Sequence, residues 1–336
     1  MGDLTSFDDL RAEDPRIDTI WLDGEFVDWA DATTHVLAHG IHYGTGIFEG
    51  VRCYDTEDGP QIFRWDAHLE RLFQSAKPLG IEIPFTRKEL TQATRELVRR
   101  QGLDACYIRP VVFYGYDKLG ISPDSVPVQT AIAAWPLGTY LGEAGLEDGV
   151  DATVSSWRRY GSDQVPTTMK ATGAYVNSVL ASREARANGF DEAILLNSDG
   201  TVAEGPGENL FLVDGGDLYT PGLAEGVLPG VTRDSVIRLA RDLGHTVYDD
   251  ASISRGELVT ADELFFCGTA AEVTPIRTVD RISVGRGARG PITETIQARF
   301  FDMVERRTTD FEEWFTPIEA DSEAADPEEV GAAPGS

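Results

Sequence analysis

Thr167-Thr168-Met169-Lys170-Ala171-Thr172-Gly173-Ala174-Tyr175 is the stretch on which the reading of this chain turns. The sequence holds only four lysines, Lys77, Lys88, Lys118 and Lys170, and carries the rest of its fixed positive charge on arginine. A guanidinium stays protonated and does no amine chemistry. Lys77, Lys88 and Lys118 stand beside Pro, Gly or charged neighbours, as surface lysines do. Lys170 follows an uncharged run and precedes small residues and a tyrosine. Such a lysine is either a stray exposed residue at a helix start or a desolvated amine with a lowered pKa. An amine of the second kind forms Schiff bases with carbonyls. The rest of the chain decides between the two.

Toward the N-terminus, residues 17–30 read as a β-hairpin around Asp23-Gly24. The segment 39–52, HGIHYGTGIFEGVR, is punctuated by Gly40, Gly44, Gly46 and Gly50. It reads as a loop entering a strand, with backbone free to approach another chain segment or a ligand closely. Leu69, Leu72, Phe73 and Ala76 recur at helical spacing over 66–77. Thr86 with Glu89 is a capping box, and Gly102 is a helix stop. The apolar runs 106–114 and 130–135 read as buried strands. Toward the C-terminus, 174–188 is helical, and 193–216 alternates strands and turns as a meander. Pro229-Gly230-Val231-Thr232 opens a helix that Gly244 stops, 263–267 is a strand, and 292–306 is a helix.

These elements predict an α+β chain in five parts. They are a flexible acidic lead at 1–16, a small domain at 17–137, a linker at 138–149, a large domain at 150–316, and a disordered acidic tail at 317–336. The net charge of −28 excludes nucleic acid and anionic membrane as partners. Few lysines among many acids also fit a protein that works in high salt, where screening weakens self-repulsion. The plain alternative is an acidic cytosolic protein. No run of 18 apolar residues and no apolar segment near Met1 is present, so neither a membrane span nor a signal peptide is expected. Cys53, Cys106 and Cys267 are odd in number and lack metal spacing, which fits a reducing cytoplasm.

Several groups qualify as chemistry. Val231 and Thr232 at a helix start present amides to an anion, or Thr232 is an ordinary cap. Arg71 is either a rim arginine or a buried phosphate ligand. Glu204, in EGPGENLF, belongs to a hairpin turn or faces a ring nitrogen of a cofactor. His35, His39 and His42 have a helical spacing that admits a metal, but no acidic fourth ligand has motif spacing, and no metal site is assigned.

In order and spacing, HGIHYGTGIFEGVRCY, YIRP, PTTMKATGAY, EGPGENLF, LPGVTRD and CGTAAEVTP resemble the fold-type-IV pyridoxal-phosphate aminotransferases, most closely the branched-chain amino-acid aminotransferases. The similarity runs from about Ile17 to Phe315. It implies a two-domain fold, with a smaller N-terminal domain and a larger domain built on a meander or barrel-like core. Pyridoxal 5'-phosphate would lie in the cleft between them. The resemblance makes Lys170 the Schiff-base lysine. Tyr175 would hold the cofactor's phenolic oxygen and Glu204 its pyridine nitrogen. Arg71, Val231, Thr232 and Thr269 would hold the phosphate. Phe48, Tyr107, Arg109 and Tyr140 would frame the substrate, with Thr269 and Ala270 as backbone donors to its α-carboxylate. Tyr43 would reach the site across a homodimer interface. The implied reaction is ping-pong transamination of L-leucine, L-isoleucine and L-valine with 2-oxoglutarate. Leu137 and the loop Asp117-Lys118-Leu119-Gly120 depart from the common family forms and leave the ranking of the three donors open. A D-amino-acid aminotransferase or an aminodeoxychorismate lyase is the nearest alternative, and a colourless binding module or His-based metal hydrolase the more distant one.

Overall fold

The computed structural model describes residues 6–14, 16–118 and 120–319. Helix α1 spans Phe7–Glu13, strands β1 Thr19–Leu22 and β2 Glu25–Asp28, α2 His39–Tyr43, β3 Gly46–Phe48, β4 Val51–Tyr54 and β5 Gln61–Phe63. Then come α3 Trp65–Ala76, α4 Arg87–Gln101, β6 Cys106–Tyr114 and β7 Val128–Trp135. The β1–β2 turn places Asp23 and Gly24 at positive φ, 48° and 100°, as an Asp-Gly hairpin requires. In α4 the Thr86 hydroxyl accepts the Glu89 N–H while the Glu89 carboxylate accepts the Thr86 N–H, and Gly102 closes the helix in the left-handed region. Both arms of the capping box are therefore made. Strand β6 alternates buried and half-buried residues, so one face of it meets the core under α3 and α4.

The second half is α5 Glu143–Asp148, β8 Val150–Arg158, α6 Tyr175–Ala187, β9 Glu192–Leu196, β10 Asn209–Asp214, β11 Asp217–Pro221, α7 Val231–Asp242 and β12 Val247–Ala251. It continues through α8 Glu257–Thr260, β13 Glu263–Gly268, β14 Glu272–Val279, β15 Ile282–Ser283, α9 Pro291–Val304 and β16 Phe315–Pro317. The first sheet is antiparallel, in the order β16-β5-β4-β6-β7-β1-β2, with β3 on β6. The second is mixed, in the order β12-β11-β10-β13-β14-β8-β9, with β15 on β14. All five residues of β9 and the first five of β10 are buried, as strands covered on both faces are. Phe63 of the first sheet packs edge-on to Phe300 and Trp314, which ties the two halves together. Among the described residues no helix is long and apolar enough to cross a membrane.

Four sequence expectations need correction. The acidic lead holds α1, whose Ser6 cap accepts the Asp9 N–H at 3.1 Å and whose Phe7 ring packs on Trp29 and Trp135. The linker is ordered, with Leu141 buried and 143–148 helical, because Leu141 joins the apolar core of the second half. The tail does not begin at 317, since Pro317 pairs with Gln61 and Ile318 is buried. Residues 320–336, the rest of that tail, lie outside the described residues, as does Leu119. The meander is confined to the β10–β11 and β13–β14 hairpins, because β9 runs parallel to β8 at the far edge of the sheet.

Candidate active site

Lys170 lies between the two halves, and its backbone is held from the first. Its N–H donates to Ser75 Oγ of α3 at 3.0 Å, and its carbonyl accepts from the Phe48 N–H at 3.1 Å. Ala171 bridges to Ile47. The Thr172 hydroxyl donates to the Gly44 carbonyl at 3.0 Å, and the Gly173 N–H reaches the same oxygen at 3.1 Å. This explains part of the glycine punctuation. Gly44 has φ 65°, and a Cβ there would lie 2.6 Å from Gly173 Cα. The segment that sequence alone reads as a loop is helix α2, closed by Gly44 and followed by β3, and its close approach is to the lysine stretch itself.

The Lys170 side chain is buried and donates from Nζ to the Tyr175 hydroxyl at 2.8 Å. Burial, followed by repulsion from Arg71, pulls its pKa down to about 8. That disposes of the exposed-lysine reading. Tyr175 moves the other way, pushed up by burial and then by Glu204. Phe48 packs edge-on to Tyr175 at 4.8 Å.

Glu204 enters the same cleft from the segment after β9. Its carboxylate meets Arg159 Nη2 at 2.6 Å and accepts the Leu228 N–H at 3.0 Å and Asn209 Nδ2 at 3.1 Å. Burial raises its pKa against the pull of Arg159. The hairpin reading of EGPGENLF is also correct, since the Gly205 N–H closes onto the Glu208 carbonyl at 2.8 Å. The turn is what aims Glu204 inward. Glu208 beside it is pushed to about 8 by burial and then by Glu192.

Helix α7 supplies the opposite end. Gly230 is its N-cap, and no side chain caps it, so the plain Thr-cap reading fails and the first amides stay available to an anion. Asn209 forces the glycine, because a Cβ on residue 230 would sit 1.9 Å from its Oδ1. Arg71 reaches this end from α3. Its Nε and Nη2 donate to the two Glu49 oxygens at 2.7 and 2.8 Å, and its Nη1 to the Pro229 carbonyl at 2.8 Å. Glu49 also meets His68 Nδ1 at 2.8 Å. Burial alone would raise the Glu49 carboxyl, but Arg71 and His68 outweigh it and hold the group well below the usual range.

Arg71, Lys170, Tyr175, Glu204, Val231, Thr232 and Thr269 all line one cleft of about 530 Å³. That is the size of a cofactor pocket. An amine, a buried carboxylate and an uncapped helix start at separate points of one cleft suit a group bearing a carbonyl, a basic ring nitrogen and a phosphate. The substrate-side candidates are less gathered. The Arg109 guanidinium carbon lies 4.9 Å from the Phe48 ring, Nη2 donates to the Tyr107 hydroxyl at 3.2 Å, and Nε is buried without a partner. Tyr140 is half-buried on the core of the second half. Ala270 follows Thr269 in the β13–β14 turn. Tyr43 faces out from α2, 45% exposed, and does not line the cleft in this chain. The three histidines do not converge: His39 bonds Thr45 and the Gly120 carbonyl, His42 the Val36 carbonyl, and His35 accepts the Leu37 N–H.

Sequence reasoning missed Glu49, Arg52, Arg159 and Asn209. Each acts through a partner far along the chain, and Glu49 and Asn209 stood unremarked inside quoted motifs.

Residues 46–279 match the family model described as amino-transferase class IV. The chain is 47% identical over 303 residues to a branched-chain-amino-acid aminotransferase of Pseudomonas aeruginosa, covering 90% of this chain and 98% of that one. The crystal structure of the Escherichia coli branched-chain amino acid aminotransferase superposes with a TM-score of 0.88 at 45% identity, covering 90% of this chain and all of the other (100%). Another solved branched-chain amino acid aminotransferase, complexed with N-(5'-phosphopyridoxyl)-L-glutamate and with its source given as T.th., superposes with a TM-score of 0.86 at 44% identity, covering 90% and 99%. The α+β, two-domain fold is that of fold type IV, and this chain belongs to the class IV aminotransferase family.

Proposed function

We propose that this enzyme is a branched-chain-amino-acid transaminase that holds pyridoxal 5'-phosphate on Lys170. It moves the amino group of L-leucine, L-isoleucine or L-valine to 2-oxoglutarate, giving the branched 2-oxo acids and L-glutamate. One observation carries the reading: the buried Lys170 amine, 2.8 Å from the Tyr175 hydroxyl, shares a cleft with Glu204 and an uncapped helix start. The relatives named above point to the same donors.

When bound, the cofactor supplies an electron sink for the charge left at the substrate Cα. The chain's own residues do the rest. Lys170 Nζ would hold the cofactor's aldehyde carbon and, once displaced by substrate, take the Cα proton. A pKa near 8 leaves a useful fraction of the amine neutral at physiological pH. Tyr175 donates to the phenolic oxygen. Glu204, held by Arg159, accepts from the ring nitrogen and keeps it protonated. Arg71, Thr232, Thr269 and the Val231 amide take the phosphate. Phe48 and Tyr140 face an aliphatic side chain. Arg109 offers the distal carboxylate of glutamate a charge-assisted donor, so one pocket serves both substrates. Tyr43 would complete the site of a partner subunit in a homodimer.

Adding L-leucine or L-glutamate to the cofactor-loaded protein should shift its near-ultraviolet to violet absorbance and release one 2-oxo acid. Consumption of D-alanine in preference to L-leucine would instead favour a D-amino-acid aminotransferase. Release of pyruvate from aminodeoxychorismate would favour the lyase.

A further inference from the structure

Arg52 lies on β4 between buried Val51 and Cys53, and its side chain reaches across to the second half. Its Nε donates to the Thr269 carbonyl at 2.8 Å and its Nη2 to the Ala270 carbonyl at 2.9 Å. The same guanidinium reaches the Leu137 carbonyl at 3.3 Å and the Gly138 carbonyl at 3.2 Å. One planar fork thus holds four backbone oxygens on two separate segments, which a lysine ammonium cannot do.

The peptide plane turns this into a statement about donors. In a trans peptide the C=O of one residue and the N–H of the next point in opposite directions. Fixing the Thr269 carbonyl on Arg52 therefore turns the Ala270 N–H away from Arg52. Fixing the Ala270 carbonyl does the same for the Ala271 N–H. The turn is constrained from its far side too. Glu272 adopts φ 55°, a left-handed conformation unusual for a glutamate, and its carboxylate accepts the Tyr54 hydroxyl at 3.0 Å with Arg52 Nε 3.9 Å away. The Thr274 hydroxyl donates to the Ala271 carbonyl at 2.6 Å. Three successive carbonyls of the turn are thus taken by side-chain donors.

We infer that Arg52 is the positioning residue for substrate carboxylates. It presets the Thr269–Ala270 turn and ties that turn to the 137–138 segment leading to Tyr140, so the grip on the carboxylate and the wall facing the side chain are set by one side chain. This rests on the transaminase reading above, in which that turn receives the α-carboxylate. Every amino acid and 2-oxo acid the enzyme uses carries this carboxylate, so the effect of Arg52 is common to all of them. The phosphate contacts, on α7 and Arg71, do not involve it.

The test is steady-state kinetics of the Arg52→Lys and Arg52→Gln holoenzymes, with 3-methylbutylamine, which is leucine without its carboxylate, as a binding probe read by cofactor absorbance. KM for L-leucine and for 2-oxoglutarate should both rise at least about ten-fold, the weight of a lost charge-assisted contact, with kcat changing less. Cofactor binding and the affinity for 3-methylbutylamine should stay at wild-type values. If Arg52→Gln does not fold, Arg52→Lys carries the comparison. KM values within about two-fold of wild type, even in a variant that melts lower, would make Arg52 mere cement between the halves and overturn the inference. A parallel loss of 3-methylbutylamine binding would overturn it as well. A wild-type enzyme whose absorbance ignores both L-leucine and L-glutamate would instead bring down the transaminase reading, and this inference with it.

Discussion

The two sides of the cleft are built differently. On the cofactor side every charged group has a partner inside the chain: Glu204 has Arg159, Asn209 and the Leu228 N–H, and Arg71 has Glu49 and the Pro229 carbonyl. On the substrate side Arg109 keeps a buried Nε without a partner, Tyr43 faces out, and Tyr140 is half-buried. A satisfied network is rigid, and it can hold one ligand in one pose. An unsatisfied donor beside aromatic rings can serve an aliphatic side chain in one half-reaction and a carboxylate in the other. The difference matches the chemistry proposed, with one resident cofactor and two exchanging substrates.

Substitutions on the two sides should therefore fail in different ways. Lys170→Ala strikes the shared atom and should lower turnover by at least about 10⁴-fold with the fold intact, measured as 2-oxo acid released from L-leucine. Retained turnover would remove Lys170 from the chemistry. Glu204→Gln, on the satisfied side, should cut kcat by about 100-fold while KM for either substrate moves little, because it weakens charge stabilisation rather than binding. A rise in KM alone would place Glu204 on the substrate side. Arg109→Gln, on the unsatisfied side, should raise KM for 2-oxoglutarate about ten-fold and leave that for L-leucine nearly unchanged. Equal effects on both would contradict the division of labour.

A smaller effect concerns stability. A folded pKa near 8 for Lys170 means that burying the cation costs the apoenzyme roughly 3 kcal/mol at neutral pH. Below about pH 8 both folded and unfolded lysines are protonated, and the cost is present in full. Above about pH 8 the folded amine is neutral while the unfolded one is still charged, so the cost fades and is gone near the unfolded value of 10.5. Apo Lys170→Met should melt higher than apo wild type at pH 7, and the gap should close toward pH 10.5. A gap that widens with pH would refute the depressed pKa.

What was legible in the sequence follows the same physical division. Local signals read true: the Asp23-Gly24 hairpin, the Thr86–Glu89 capping box and the helical spacing from Leu69 to Ala76 each involve residues a few positions apart. The cleft itself was legible only through motif resemblance, since Lys170, Glu204 and Arg71 show no spacing that brings them together. The sheet order and the return of β16 to β5 were invisible, because such pairings join residues hundreds of positions apart with no local mark. Arg52 and Arg159 were missed for the same reason, being two arginines among many until their partners are seen. Helix α2 was missed because five residues flanked by glycines show no helical period.

The central claim is that Lys170, and no other amine, reacts with the cofactor. Borohydride reduction of the pyridoxal-phosphate-loaded protein followed by peptide mass spectrometry tests it directly, and four lysines in the chain make the assignment unambiguous. The account predicts a single phosphopyridoxyl group on the peptide containing Lys170, prevented by prior conversion with L-leucine. A stable adduct on Lys77, Lys88 or Lys118, or none at all, would contradict it.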